Sequence, residues 1–147
     1  MRILSPDPGL LIVSCDGASR GNPGPAGIGV LITNEGGSVL AEIAEGLGET
    51  TNNVAEYTAA REGLRRAGEL GARRVHLRSD SQLLIEQLSG RYKVKSAHLR
   101  PLYMEVVQEL ARFERVKLEH IPRERNREAD RLANEGVDDW LRRRPRD

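Results

Sequence analysis

Three runs in the first 47 residues suit a sheet: 10-LLIVSC-15, 26-AGIGVLITN-34 and 38-SVLAEIAEGL-47. The connections between them, rich in Gly, Pro and Asn, suit turns and are too short for a crossover helix, so an antiparallel meander is expected. At residue 53 the period changes. Tyr57, Ala60, Leu64 and Ala67 fall at helical spacings, and Asn53 with Glu56 three residues later fits an N-cap with its partner, opening a helix of about 16 residues. Gly71 closes that helix, and 73-RRVHLRSD-80 alternates as a fourth strand. A short helix is predicted over 81–89 and a longer one over 96–113, with Leu99, Leu102, Val106 and Leu110 on its apolar face. The fifth strand is 115-RVKLEHI-121, with Val116, Leu118 and His120 on one side, and a last helix over 126–136 carries Ala129, Leu132 and Ala133. The order βββαβααβα predicts an α/β fold of mixed α+β character, a five-stranded mixed sheet flanked by helices.

At 147 residues the chain has the size of one domain. Residues 1–137 are expected to form it, and 138–147 to be a basic tail packed on it through Trp140. No apolar run is long enough to span a bilayer, which argues against a membrane protein. The start, MRILSPDPG, lacks the apolar core of a secretory signal, so a cytoplasmic chain is expected. The lone Cys15 excludes an intramolecular disulfide and a cysteine-cluster zinc site. The net charge of +1 hides local clusters: four basic residues lie in 91-RYKVKSAHLR-100 and four in 141-LRRRPR-146. These are either solvated faces or contacts for a phosphate backbone.

The first run ends on Asp16, followed at once by a glycine-rich loop, and the fourth ends on Asp80. An unpaired buried carboxylate is costly, so it is normally neutralised, paired or metal-bound. If strands one and four are parallel neighbours, their carboxyl ends lie side by side, and Glu56 in the first turn of a helix and Asp130 in the last helix can join them. Hard divalent cations take oxygen ligands, and four carboxylates can hold two ions for phosphodiester hydrolysis. Each acid also has an ordinary reading: Asp16 begins a turn, Glu56 completes a capping box, Asp80 caps a helix, and Asp130 pairs with Arg127 or Arg131.

The ordered motifs DGASRGNPGPAGIG, TTNNVAEYTAAREGL, LRSDSQLLIEQL and NREADRLAN decide between these readings. Together they resemble the type 1 ribonuclease H family over nearly the whole chain. The resemblance implies the ribonuclease H-like fold and hydrolysis of the RNA strand of RNA/DNA hybrids, leaving 5′-phosphate and 3′-hydroxyl ends. It further implies that Asp16, Glu56, Asp80 and Asp130 form a metal-binding catalytic tetrad using two Mg2+ or Mn2+ ions. Asn22, Asn52, Asn53 and Gln82 match positions that face the minor groove or RNA backbone, and Thr51 matches a position gripping a phosphate of the DNA strand. Side-chain amides donate and accept, which suits a 2′-hydroxyl and base edges in a wide, shallow groove. Gly17, Gly21 and Gly24 are read as permitting close backbone approach and tight turning. The expected partner is an RNA/DNA hybrid, with duplex RNA as a further candidate, and the expected state is a monomer. The rival readings are a DNA nuclease or strand-transfer enzyme of the wider superfamily and a catalytically silent hybrid-binding module.

The chain departs from the larger family members twice. Where they insert a basic handle, only 89-SGRYKVKS-96 is present. Where they carry a loop His before the last acid, 120-HIPRERNREAD-130 is short, and Arg123 is assigned the assisting role by likeness to a shorter branch of the family. His120 is expected to be packed at its strand end, His76 to be a packed or edge histidine, and His98 to face solvent on a helix.

Overall fold

The computed structural model describes residues 9–145. The opening segment 1–8, on which the secretory-signal reading rests, and residues 146–147 of the tail lie outside the described residues. The chain runs β1 (Leu10–Ser19), β2 (Gly24–Asn34), β3 (Val39–Thr50), α1 (Asn52–Glu69), β4 (Arg74–Ser79), α2 (Gln82–Leu88), α3 (Arg100–Leu110), β5 (Arg115–His120), one 3-10 turn (Arg123–Arg125) and α4 (Arg127–Arg143). The sheet order is β3-β2-β1-β4-β5. β1–β2 and β2–β3 are antiparallel, as the short connections require, while β1–β4 and β4–β5 are parallel. Each parallel pairing has helix in its connection, which a parallel crossover needs.

One face of the sheet supplies Leu11, Val13, Ile28, Val30, Ile32, Val75 and Leu77 to the main core, against Tyr57, Ala60, Leu64 and Ala67 of α1 and Leu99 and Val106 near and on α3. Full burial of an aliphatic side chain of this kind stabilises by roughly 1.5–3 kcal/mol, so this layer fixes α1 on the sheet and with it the position of its first turn. The other face is packed more tightly, by small residues. A Cβ added at Gly29 would stand 2.0 Å from the Ala129 carbonyl oxygen and 2.4 Å from the Ala133 nitrogen, and one at Gly27 2.7 Å from the Ala133 oxygen. Glycines in β2 thus let the α4 backbone press on the sheet.

Four boundaries differ from the sequence reading. β1 continues past Asp16 to Ser19 because its antiparallel partner β2 extends to Ser19↔Ala26, whereas its parallel partner β4 stops at Cys15↔Ser79. α1 is capped by Thr51, whose side chain accepts from the Val54 amide at 3.2 Å, and Asn53 is already helical. α3 is shorter than 96–113: it begins beside Pro101, after a turn in which the Leu99 amide donates to Ser96 Oγ at 3.2 Å. α4 runs beyond 136 to Arg143, and Trp140 lies against Gly46 and Gly48 of β3.

Candidate active site

Asp16 lies one residue past the last β1–β4 pair, Cys15↔Ser79, and Asp80 follows Ser79 directly. Parallel registry therefore brings the two acids together at the end of β4. Glu56 enters from the first turns of α1, and its approach depends on Gly17: a Cβ there would stand 2.4 Å from the Glu56 nitrogen. The Gly17 amide instead donates to Glu56 Oε1 at 3.1 Å. Carboxylate oxygens of Asp16, Glu56 and Asp80 all lie within 4.8 Å of one another. Asp130, in the first turn of α4, lines the same open cleft of about 380 Å3 together with Arg20, Asn52, Arg123 and Asn134.

The ordinary roles of these acids are taken by other residues. Thr51 caps α1, so Glu56 completes no capping box. Ser81 caps α2, its Oγ accepting from the Leu84 amide at 3.2 Å, which leaves Asp80 without that task. Arg131 pairs with Glu128, Glu135 and Glu42 rather than with Asp130. Asp16 sits inside a strand, paired with Gly29, and begins no turn.

Burial and mutual repulsion dominate the electrostatics. Asp16 and Glu56 are each 5% exposed. Desolvation, then the charges of Glu56 and Asp80, pushes the Asp16 carboxyl up to about 10. Desolvation likewise raises Glu56, to about 7, against the opposing hydrogen bond from Gly17. Glu56 Oε2 is buried with no hydrogen-bond partner. A buried acceptor that no hydrogen bond satisfies, inside a cluster whose charged state is disfavoured, fits a divalent cation, which would favour ionisation of these carboxylates. The donor set is all oxygen, which suits Mg2+ or Mn2+.

The remaining predicted residues do not all reach the cleft. Asn52 lines the acidic cleft, and its backbone amide donates to Asn22 Oδ1 at 3.0 Å, tying the glycine-rich loop to the start of α1. Asn22, Thr51 and Asn53 line an adjoining hollow with Ser96 and His98. Gln82 is exposed on the first turn of α2 and lies outside both linings. Arg123 is exposed and reaches the cleft. His120 is exposed, contrary to the expectation that it packs, because it ends an edge strand whose outer residues face solvent. His76 is half-buried, 2.8 Å from Glu119, and His98 is exposed in the turn before α3 rather than on it.

Three residues were not foreseen. Asn126, 2% exposed, makes no cap bond; its Nδ2 donates to the Cys15 carbonyl at 3.0 Å and so anchors the start of α4 beside Asp16. Its place in the NREAD motif was visible, but Asn before a helix reads as a cap. Asn134 donates to the Asp130 carbonyl at 3.0 Å, and Arg20 lines the cleft; both stand within the motifs DGASRGNPGPAGIG and NREADRLAN, but neither was assigned a role there.

A family model described as reverse transcriptase-like matches residues 14–136. A bifunctional protein of Mycobacterium tuberculosis is 46% identical over 129 residues, covering 87% of this chain and 35% of its own length, so the chain spans about a third of that relative. A ribonuclease H of Coxiella burnetii is 33% identical over 148 residues, with 91% of this chain and 94% of the relative covered. Among solved structures, a metagenomic ribonuclease H1 in complex with an RNA/DNA hybrid has 43% identity and a TM-score of 0.85, covering 89% of this chain and 99% of its own.

Proposed function

This chain belongs to the type 1 ribonuclease H family, and on that premise we propose that it is an endoribonuclease that hydrolyses the RNA strand of RNA/DNA hybrids, leaving 5′-phosphate and 3′-hydroxyl ends. The observation that carries the reading is the convergence of one carboxylate oxygen each from Asp16, Glu56 and Asp80 within 4.8 Å, with Glu56 Oε2 buried and unpartnered, in a cleft that Asp130 also lines. Asp16, Glu56, Asp80 and Asp130 are the residues that would hold two Mg2+ or Mn2+ ions. Such ions would supply an activated water and charge stabilisation at the departing 3′-oxygen.

The chain's own residues do the rest. The Gly17 amide fixes Glu56, Asn126 fixes the start of α4, and Asn134 braces the Asp130 turn, so the carboxylates are placed before substrate arrives. Asn52 on the cleft wall and Asn22 and Asn53 in the adjoining hollow present amides to the minor groove, with Gln82 beyond them on α2. Thr51, whose hydroxyl caps α1 and which lines the adjoining hollow, is assigned to a phosphate of the DNA strand by the family resemblance. Arg123 offers a fixed positive charge to the phosphoryl oxygens. The working unit is a monomer, and duplex RNA is a further candidate partner beside the hybrid.

Labelled RNA/DNA hybrid, duplex DNA and duplex RNA, each incubated with Mg2+ or Mn2+ and with a chelator, test the proposal. Internal cuts in the RNA of the hybrid, abolished by the chelator, are expected. Cleavage confined to duplex DNA, or hybrid binding without cleavage under either metal, would overturn it.

A further inference from the structure

Two cations line the acidic cleft among the described residues, Arg20 from the β1–β2 loop and Arg123 from the β5–α4 connection. Arg20 is held from α4. Its Nη1 lies 2.7 Å from Asp138 Oδ1, and its Nη2 donates to the Asn134 carbonyl oxygen and Oδ1 at 3.4 and 3.3 Å. The amide of Asn134 in turn donates to the Asp130 carbonyl at 3.0 Å and stands 3.5 Å from Asp130 Oδ1. Asp130, Asn134 and Asp138 are four residues apart and so share one helix face. The result is a ladder, Asp138–Arg20–Asn134–Asp130, running along α4 into the carboxylate cluster.

An isolated exposed ion pair contributes little to stability, and the Arg20 and Asp138 side chains are 41% and 49% exposed. The ladder is thus weakly explained as a fastening. Its chemistry is better explained by what enters the cleft. A guanidinium carries five donors in a planar fork matched to phosphate oxygens, and Asp138 and Asn134 occupy only part of that fork. A strand whose phosphates approach a group of carboxylates needs a cation beside them, aimed before contact so that little freedom is lost on binding.

We propose that Arg20 binds a non-bridging phosphate oxygen of the strand being cut, beside the scissile linkage, and that Asp138 and Asn134 are positioning residues that aim its guanidinium. This rests on the ribonuclease reading above. The rival role is a latch that fastens the glycine-rich loop to α4 and touches no substrate.

The test measures hybrid affinity against salt concentration in an Asp80→Asn background with Mg2+ present, and KM, kcat and thermal midpoint in the otherwise unaltered enzyme. Arg20→Ala should weaken hybrid binding about tenfold, as expected for loss of one charged hydrogen-bonded contact. It should also lower the slope of log affinity against log salt by about one. Arg20→Lys should keep the slope but recover only part of the affinity, since a point charge cannot meet Asp138, Asn134 and phosphate at once. Asp138→Asn should keep the slope. A latch predicts something else: equal losses of thermal midpoint in Arg20→Ala and Asp138→Asn, with the salt slope unchanged in both, and that outcome overturns the proposal. If Arg20→Ala folds poorly, Arg20→Gln, which keeps a polar side chain without the charge, carries the same salt measurement. Absence of hybrid cleavage by the unaltered chain would instead sink the ribonuclease reading, so the two failures are distinguishable.

Discussion

Asp16 and Glu56 are nearly sealed from solvent, yet each faces other carboxylates, so their protonation is coupled to folding. Their folded-state pKa values, about 10 and about 7, lie above those of the unfolded chain. The folded state therefore binds more protons, and the stability these groups contribute is complete below about pH 4 and is lost as pH rises through 7 and toward 10. In chelator, the thermal midpoint of the wild type should fall between pH 5 and 9, and saturating Mg2+ or Mn2+ should reduce that fall. Asp16→Asn, isosteric but without the charge, should flatten the chelator curve and abolish cleavage, and Asp80→Asn should abolish cleavage likewise. A variant with near-wild-type turnover would remove its residue from the metal site. A second comparison concerns Arg123 and His120. Arg123 lines the cleft while His120 is exposed at the end of β5, so at saturating hybrid Arg123→Ala should lower turnover about ten- to a hundredfold and His120→Ala much less. The reverse ranking would transfer the role to His120. The four acids were legible because each stands in a motif whose spacing no ordinary cap or ion pair explains jointly. Arg20, Asn126 and Asn134 were not, because their partners lie 114, 111 and 4 residues away, and the long-range bonds that give two of them meaning are invisible locally.

Helix α4 carries Asp130, and glycines in β2 and β3 let its backbone approach the sheet closely while Leu132 and Val137 are buried and Trp140 covers Gly46. Gly27 and Gly29 share a face of β2, opposite Ala129, Ala133 and Gly136 along α4, where a Cβ at Gly136 would stand 2.6 Å from the Glu45 oxygen. Gly29→Ala would drive a methyl into the Ala129 carbonyl, backbone against backbone, with no flexible side chain to yield. It should destabilise by about 2–3 kcal/mol, lowering the thermal midpoint by roughly 5–10 °C. Turnover at a temperature where the variant is folded should also fall, since Asp130 is the next residue along α4. A Gly29→Ala enzyme with unaltered midpoint and turnover would show that α4 shifts without consequence. The order of strands and helices along the chain was readable because period 2 and period 3.6 alternate along it, whereas the β4–β5 pairing in the sheet was not. The seating of α4 was not read, although the spacing of small residues in AGIG and in ADRLANEG was there to see. Helix ends slipped where a hydroxyl outcompeted the expected cap: Thr51 rather than Asn53 opens α1, and the Ser96 turn delays α3.

The whole molecule carries a net charge of only +1, so attraction to a nucleic acid must come from where the cations sit. The connection that stands in place of a basic handle holds Arg91, Lys93 and Lys95, all exposed. It is tethered: Gln87, 6% exposed, donates from Nε2 to the Lys93 carbonyl at 3.2 Å and accepts from Tyr57 Oη at 2.6 Å. Tyr57 is a core residue of α1 one position from Glu56, so this loop is tied to the element beside the cleft through one buried and one partly buried bond. A fixed cation contributes more to binding than one on a mobile loop, because less freedom is lost on contact. The three do not contribute equally. Arg91 is already paired with Glu86 at 3.1 Å, whereas Lys93 and Lys95 have no ion pair among the described residues. Replacing all three by Ala should therefore raise KM for the hybrid and lower the salt slope by about two rather than three, each released phosphate contact being worth about one unit. Turnover at saturating hybrid should barely change, since none of the three lines the cleft that holds the carboxylates. Among single variants, Arg91→Ala should have the smallest effect on the slope. Measuring KM for one hybrid across a series of salt concentrations separates the outcomes: an unchanged slope in the triple variant would mean that the connection is only a solvated turn, and a slope lowered by Arg91→Ala as much as by Lys93→Ala would mean that Glu86 releases Arg91 when the hybrid arrives.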